Sequence, residues 1–273
     1  MVDLVLSYHG PQGLVPALSI QAADFAAGEI TGVIGPSGCG KTSLLYALAG
    51  FFHTYGEHRR QGRVEGKICI DGQEQQGLRR QTAIIFQDFG LLPWKTVTQN
   101  VELPLRLKHC PKSERQQRVH HFLSELGLSD SASFYPARLS GGMKQRTALA
   151  RALVSEPDVL LMDEPFSSLD ALSRESAQAL LYEVWLAHRM TTILVTHSIE
   201  EAVFLCHTVM VLSGKRPGSL TASFRIQRPS VSAVNVQKST QRQMLAFRQS
   251  ESFFKQVNAV RNALQVAENG GDV

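Results

Sequence analysis

Short apolar runs rich in valine and isoleucine alternate with helical stretches along this chain. The runs at 29–34, 82–86, 159–162, 191–196 and 208–212 are continuous rather than alternating. Parallel strands buried on both faces have this pattern. Residues 3–7, 18–25 and 67–70 alternate better and predict a smaller antiparallel sheet. Between Gln87 and Ser140 the periodicity turns helical. Its clearest stretch runs from Ser113 to Leu126, with Ser113 as the predicted cap, Glu114 in the first turn and Gly127 as the stop. Residues 53–66 read as a polar, glycine-bearing loop, and no internal repeat is present. The expected fold class is α/β. It combines a parallel-sheet core, a small antiparallel β subdomain and an α-helical subdomain inserted at about 88–155.

Composition narrows this picture only modestly. A chain of 273 residues with 43% hydrophobic and 19% charged residues is long and apolar enough to bury a proper core. Its net charge of +4 is mild and gathers late in the chain, so no nucleic-acid partner is expected. Cys39, Cys69, Cys110 and Cys206 are scattered and form no CxxC pair, which suits free thiols better than disulfides or a zinc site. The first residues lack the layout of a signal peptide. No apolar run reaches the ~20 residues that span a bilayer, so any membrane role is expected to run through a partner.

Two motifs carry the chemistry. GPSGCGKT (Gly35, Pro36, Ser37, Gly38, Cys39, Gly40, Lys41, Thr42) follows a predicted strand and, with Ser43, opens a predicted helix. It fits GxxxxGK[ST], the phosphate loop of P-loop NTPases. Glycines let successive N–H groups turn inward as an anion nest. The helix end contributes only about 0.3–1 kcal/mol at exposed sites, too little to hold a triphosphate. The nest, Lys41 and a divalent cation must therefore supply most of the grip, with Thr42 giving its hydroxyl to Mg²⁺. The second motif, Val159–Pro165, is an apolar strand ending in two carboxylates. Asp163 suits Mg²⁺, and Glu164, facing the other way, suits a general base for water.

LSGGMKQR at 139–146 matches the signature of the ATP-binding cassette (ABC) ATPases, and the chain resembles that family over nearly its whole length. The other family motifs follow in order: Gln87 in IIFQDFGLLPW, then LLMDEP, then Asp170 in Ser168-Leu-Asp170, then His197 in VTHSIEEA. The resemblance implies ATP and Mg²⁺ as cofactors, and a homodimer in which Ser140, Gly141, Gly142 and Gln145 of one copy face the phosphates held by the other. It implies that His197 contacts the γ-phosphate and orients Glu164, and that Gln87 reaches Mg²⁺ and the lytic water. Tyr8 is the candidate for stacking on adenine, with His9 as its rival, because an insert at 9–13 shifts the spacing.

Within the family, LLPW, LSGGMKQR and VTHSIEEAVFL look most like the nitrate, sulfonate and taurine importer branch, close to relatives that move pyrimidine precursors of thiamine. Ser198, where that branch usually has Asp, and the long loop at 53–66 depart from it. This likeness implies an ATP-hydrolysing motor at the cytoplasmic face of the inner membrane. It would work through a separate permease and, indirectly, a solute-binding protein. The apolar run Phe89–Trp94 either packs on the chain's own helices or forms a groove for a permease helix. A soluble, non-transport ABC ATPase is the alternative, although such proteins usually carry two cassettes or coiled-coil arms. Residues 1–214 are expected to form the ATPase domain, and 215–273 a short extension with no room for a large regulatory domain. Phe253, Val257, Val260 and Leu264 recur there at helical spacing, as either a docked helix or a basic amphipathic helix near lipid.

Overall fold

The computed structural model describes residues 1–11, 13–54, 62–228 and 243–269, and half of the loop expected at 53–66, residues 55–61, lies outside them. The chain divides into two compact units, one made of residues 1–79 and 186–273, the other of 80–185.

In the first unit, β1 (Val2–Gly10) pairs antiparallel with β2 (Gly13–Ala22) and β4 (Arg63–Lys67), giving the small antiparallel sheet. The insert at 9–13 is the tip of the β1–β2 hairpin, where His9 pairs with Leu14 and Gly10 with Gly13. Beside this sheet, β3 (Ile30–Ile34) lies between β9 (Thr191–Val195) and β10 (Thr208–Leu212), parallel to both. All five residues of β3 are buried, which explains its unbroken apolar run. β11 (Leu220–Arg225) closes the edge antiparallel to β10. A two-stranded ribbon, β5 (Cys69–Ile70) and β6 (Gln73–Glu74), completes the strands. Among the described residues, the helices of this unit include α1 (Lys41–Leu48), the single turn α2 (Phe51–Thr54), α7 (Ile199–Leu205) and α8 (Glu251–Asn269), with a further helical stretch at 243–248. On α8, Phe253, Val257, Val260, Ala263 and Ala267 are each at most 5% exposed, and the helix packs on α7 and β10. This is the docked alternative for the tail.

The second unit holds the parallel pair β7 (Thr82–Ile85) and β8 (Val159–Asp163), with α3 (Val97–Leu107), α4 (Lys112–Glu125), α5 (Gly141–Leu153) and most of α6 (Ala171–His188). Residues 88–155 lie wholly inside it. The helix read at Ser113–Leu126 is α4, but Ser113 does not cap it: Pro111 is the N-cap, with no side-chain hydrogen bond. Its φ of −57° and ψ of 147° already give the chain the entry angles of a cap, which leaves Ser113 inside the first turn. Gly127 does end the helix, at φ +63°. Its N–H donates to Ser124 O, and that of Leu128 donates to Leu123 O, a Schellman termination that needs glycine at this point.

Candidate functional site

The residues singled out by the motifs fall on both units. In the first, β3 delivers the chain into the phosphate loop. Gly40, at φ +100°, starts α1 with no capping side chain and no acidic residue in the first turn. No side chain of that turn thus answers its open amides or the helix dipole, which fits an anionic guest. Lys41 is 8% exposed; its Nζ donates to Gly35 O at 2.7 Å and to Pro36 O at 2.8 Å. Thr42, Ser37 and Gly38 are exposed, while Gly35, Cys39 and Ser43 are buried. Gly35 cannot be larger: a Cβ there would lie 2.8 Å from Cys39 Sγ and 3.0 Å from Leu212 O. Burial pushes the Cys39 thiol above its usual pKa, against the opposing pull of Lys41.

Two further segments support the loop. Tyr8 donates its hydroxyl hydrogen to Ser43 Oγ at 2.9 Å, and its ring meets Phe52 at 5.6 Å between centroids. His9 is exposed beside the hairpin tip. The β10–β11 connection presses on the loop from another side. A Cβ on Gly218 would lie 2.0 Å from Cys39 O, and one on Gly38 would lie 3.1 Å from the Arg216 guanidinium. The motifs name neither Gly218 nor Arg216, because a lone glycine and a lone arginine far along the chain carry no local pattern. His197 is exposed at the end of β9. Ser198 caps α7, its Oγ accepting from the Glu201 N–H, so serine does the capping that aspartate would do there.

In the second unit, Gln87 is exposed just beyond β7. Phe89 (φ +64°) and Gly90 (φ +54°) follow it in left-handed conformations. Their carbonyls both accept from Arg151 on α5, at 2.6 Å each. Burial lowers the Arg151 pKa, which Asp88 partly restores. The apolar run divides: Phe89 is 5% exposed and Trp94 is 69% exposed. Asn100, fully buried, orders the loop between them, exchanging hydrogen bonds with Leu92 and donating to the Lys95 and Thr96 carbonyls.

Asp163 ends β8 and is 7% exposed. Glu164 takes φ +44°, uncommon for a residue with a Cβ, and thereby breaks away from the strand direction. Ser167 holds that conformation, its N–H and hydroxyl both donating to the Glu164 carbonyl. Asp170 is exposed and heads α6; hydrogen bonds from Ser173 hold its carboxyl below the usual range. Arg174 donates to the carbonyls of Phe166 and Leu169 in the same turn.

Ser140 is the N-cap of α5 and accepts from Met143 N–H at 3.3 Å. Ser140 and Gly141 are exposed and Gly142 half-buried. A Cβ on Gly141 would come within 2.9 Å of Leu169 Cδ2, so this glycine is set by packing as well as by chemistry. Gln145 is 5% exposed, and its Oε1 has no hydrogen-bond partner among the described residues.

A family model described as ABC transporter matches residues 19–167. The chain belongs to the ABC transporter family. Among relatives of this ABC protein, an uncharacterised ABC transporter ATP-binding protein of Methanocaldococcus jannaschii is 42% identical, over 74% of this chain and 72% of the relative. The nitrate import ATP-binding protein of Synechocystis is 38% identical, over 84% and 82%. The taurine import ATP-binding protein of Pseudomonas aeruginosa is 45% identical, over 69% and 68%. Among solved structures, a dimeric ATP-binding cassette in a post-hydrolysis state with ADP and Pi is similar, with a TM-score of 0.66 and 28% identity over 83% of this chain and 97% of that one. The α/β cassette fold, ATP as ligand and an ATP-hydrolysing activity follow from this membership.

Proposed function

We propose that this ABC protein is the motor subunit of an importer for a small solute. It works as a homodimer on the cytoplasmic face of the cell membrane, held there by a separate permease. The observation that carries this reading is its similarity, over about four fifths of both chains, to an ATP-binding protein named for nitrate import. The taurine relatives point the same way. A solute-binding protein completes the system on the far side of the membrane.

In this reading the phosphate loop grips the triphosphate of ATP. Lys41 leaves the Gly35 and Pro36 carbonyls for phosphate oxygens, and Tyr8, already bonded to Ser43 of the loop's helix, is favoured over His9 for the adenine. Thr42, Asp163 and Gln87 would hold Mg²⁺, which neutralises phosphate charge. Among the described residues no group of three or more His, Cys, Asp or Glu side chains could hold a metal alone. Such an ion would take one carboxylate, Asp163, with the neutral Thr42 and Gln87 side chains and substrate phosphates. Glu164 accepts the proton of the attacking water and His197 contacts the γ-phosphate. Ser140, Gly141 and Gly142 offer a hydroxyl and helix-end amides to the nucleotide of the second copy, beside Asp170. Gln145 is buried, so contact with a phosphate would require it to leave its packing. Trp94 and Pro93, exposed beyond Gln87, form the apolar face that meets the permease.

The test is complementation between two defective copies. Lys41→Ala and Ser140→Arg homodimers should each be inactive toward MgATP, while a mixture of the two should regain turnover, because mixed dimers hold one intact composite centre. Glu164→Gln alone should accumulate an ATP-bound dimer on size exclusion. Failure of folded, dimerising mutants to complement would overturn the shared centre. Co-purification with ribosomes or DNA in place of a polytopic membrane protein would favour the non-transport alternative.

A further inference from the structure

His197 stands on a turn whose interior is polar where its surroundings are apolar. Thr196, at the end of β9, is 1% exposed, and Glu201, on the first turn of α7, is 7% exposed. The Thr196 hydroxyl accepts from the Ser198 N–H at 3.0 Å and lies 2.7 Å from Glu201 Oε2. With one lone pair taken by that amide, the hydroxyl donates its own hydrogen to the Glu201 carboxyl. The Glu201 N–H returns to Ser198 Oγ at 3.2 Å. The ring therefore closes on both sides of His197, which is left exposed. Thr196 N–H also donates to Val33 O, tying the ring to the strand that feeds the phosphate loop.

Helix capping accounts for part of this arrangement. Ser198-Ile-Glu-Glu201 has the spacing of a capping box, in which the N3 carboxylate would take the N-cap amide directly; here that amide donates to Thr196 Oγ1, and the carboxylate takes the Thr196 hydroxyl instead. The other buried positions of α7 are Ile199, Ala202, Val203, Phe204 and Leu205, all apolar. A carboxyl among them costs more to bury than an apolar side chain of similar size. Among its contacts it supplies a fixed acceptor for the Thr196 hydroxyl.

We infer that Glu201 is a positioning residue: through the Thr196 hydroxyl it fixes the turn from which His197 reaches the reacting phosphate. The inference rests on the proposed role of His197, and the two can fail separately.

Steady-state MgATP hydrolysis is measured for Thr196→Val and Glu201→Leu, which break the ring, and for Thr196→Ser and Glu201→Gln, which keep a hydroxyl and an oxygen acceptor. The breaking variants should lose kcat by about 10- to 100-fold, with KM within about threefold of the parent. The conservative variants should recover kcat to within about threefold. The double variant Thr196→Val/Glu201→Leu should be no worse than either single one, since both break one ring. In parallel, the His197 imidazole ¹H–¹⁵N signals, identified by their loss in His197→Ala, should shift or broaden in Thr196→Val and stay in place in Thr196→Ser. Unchanged kcat in the breaking variants, or a loss that serine and glutamine do not recover, overturns the inference. If Glu201→Leu does not fold, the threonine pair and the imidazole signals decide. If His197→Ala itself retains full turnover, the role given to His197 falls, and the imidazole signals alone decide whether Glu201 fixes the turn.

Discussion

Replacing Arg151 with lysine isolates geometry from charge. The guanidinium sends two N–H groups to two successive carbonyls, Phe89 O and Gly90 O, at 2.6 Å each. Both acceptors belong to residues at positive φ, so the turn after Gln87 depends on an outside hold. An ammonium keeps the charge but cannot present the planar fork, and it is the more strongly hydrated group. One charge-assisted hydrogen bond of roughly 1.5–3 kcal/mol is lost, while the burial that lowers the Arg151 pKa is unchanged. Arg151→Lys should therefore destabilise the second unit by about 2 kcal/mol. The assay is urea unfolding followed by tryptophan fluorescence. Both tryptophans of the chain, Trp94 and Trp185, lie in residues 80–185, and Trp185 is 2% exposed, so emission reports on that unit. MgATP turnover should fall alongside, because the loosened turn carries Gln87. A midpoint shift equivalent to less than about 0.5 kcal/mol, within the range of an ordinary surface substitution, would mean that charge alone holds the turn, and the argument from the fork would be refuted.

Two other perturbations follow from the first unit. In Gly218→Ala the new Cβ would fall 2.0 Å from Cys39 O, a backbone atom that cannot swing aside; the phosphate loop should shift, and ATP affinity, read by a fluorescent nucleotide, should drop at least about tenfold. His207 accepts from the Ile30 N–H, and burial lowers its pKa from 6.5 to about 4. Between those values the unfolded chain holds more protons than the folded one, so stability should fall as pH drops from 6.5 toward 4. The slope is bounded by about 1.4 kcal/mol per pH unit. His207→Asn should flatten that stretch of a stability-against-pH curve from chemical denaturation. Glu29, held below its usual 4.5 by Arg225, contributes with the same sign at lower pH, as its stabilisation is lost when pH falls through its folded pKa.

The core strands were legible because burial on both faces leaves an unbroken apolar signature, and the first and last residues of β10 match the sequence reading. β2 was less so. The sequence places a strand at 18–25, whereas the strand runs from Gly13 to Ala22. Its first residues are exposed, Leu14 at 40% and Val15 at 51%, and are held in the strand by main-chain pairing with β1. Alternation in sequence reports burial, so it begins only at Leu18, where burial begins. Phe25 lies beyond the last paired residue. At the site, the motifs gave the candidate side chains, some buried, such as Lys41 and Asp163, and some exposed, such as Thr42, Gln87, Ser140 and His197. The holding residues were invisible to them. Arg151 in a helix reads as solvated, and its partners lie more than sixty positions away. Asn100 and Ser167 resemble ordinary polar residues until their carbonyl partners are known.

Those holding residues follow one physical rule. A turn that exposes a functional side chain cannot bury enough apolar surface to fix itself, and left-handed residues add a local cost of order 1–3 kcal/mol. Each such turn is therefore held from behind by a polar side chain, partly or fully buried, whose donors or acceptors match main-chain groups. Arg151 serves the turn after Gln87, Ser167 the turn at Glu164, Arg174 the turn before Asp170, and Thr196 with Glu201 the turn at His197. Each of these contacts joins groups of the chain itself, so what it stabilises is the fold of the turn. The consequence separates the two classes of residue. Substituting a holding residue should lower stability and kcat together, whereas substituting the exposed residue it serves should lower kcat with stability nearly intact.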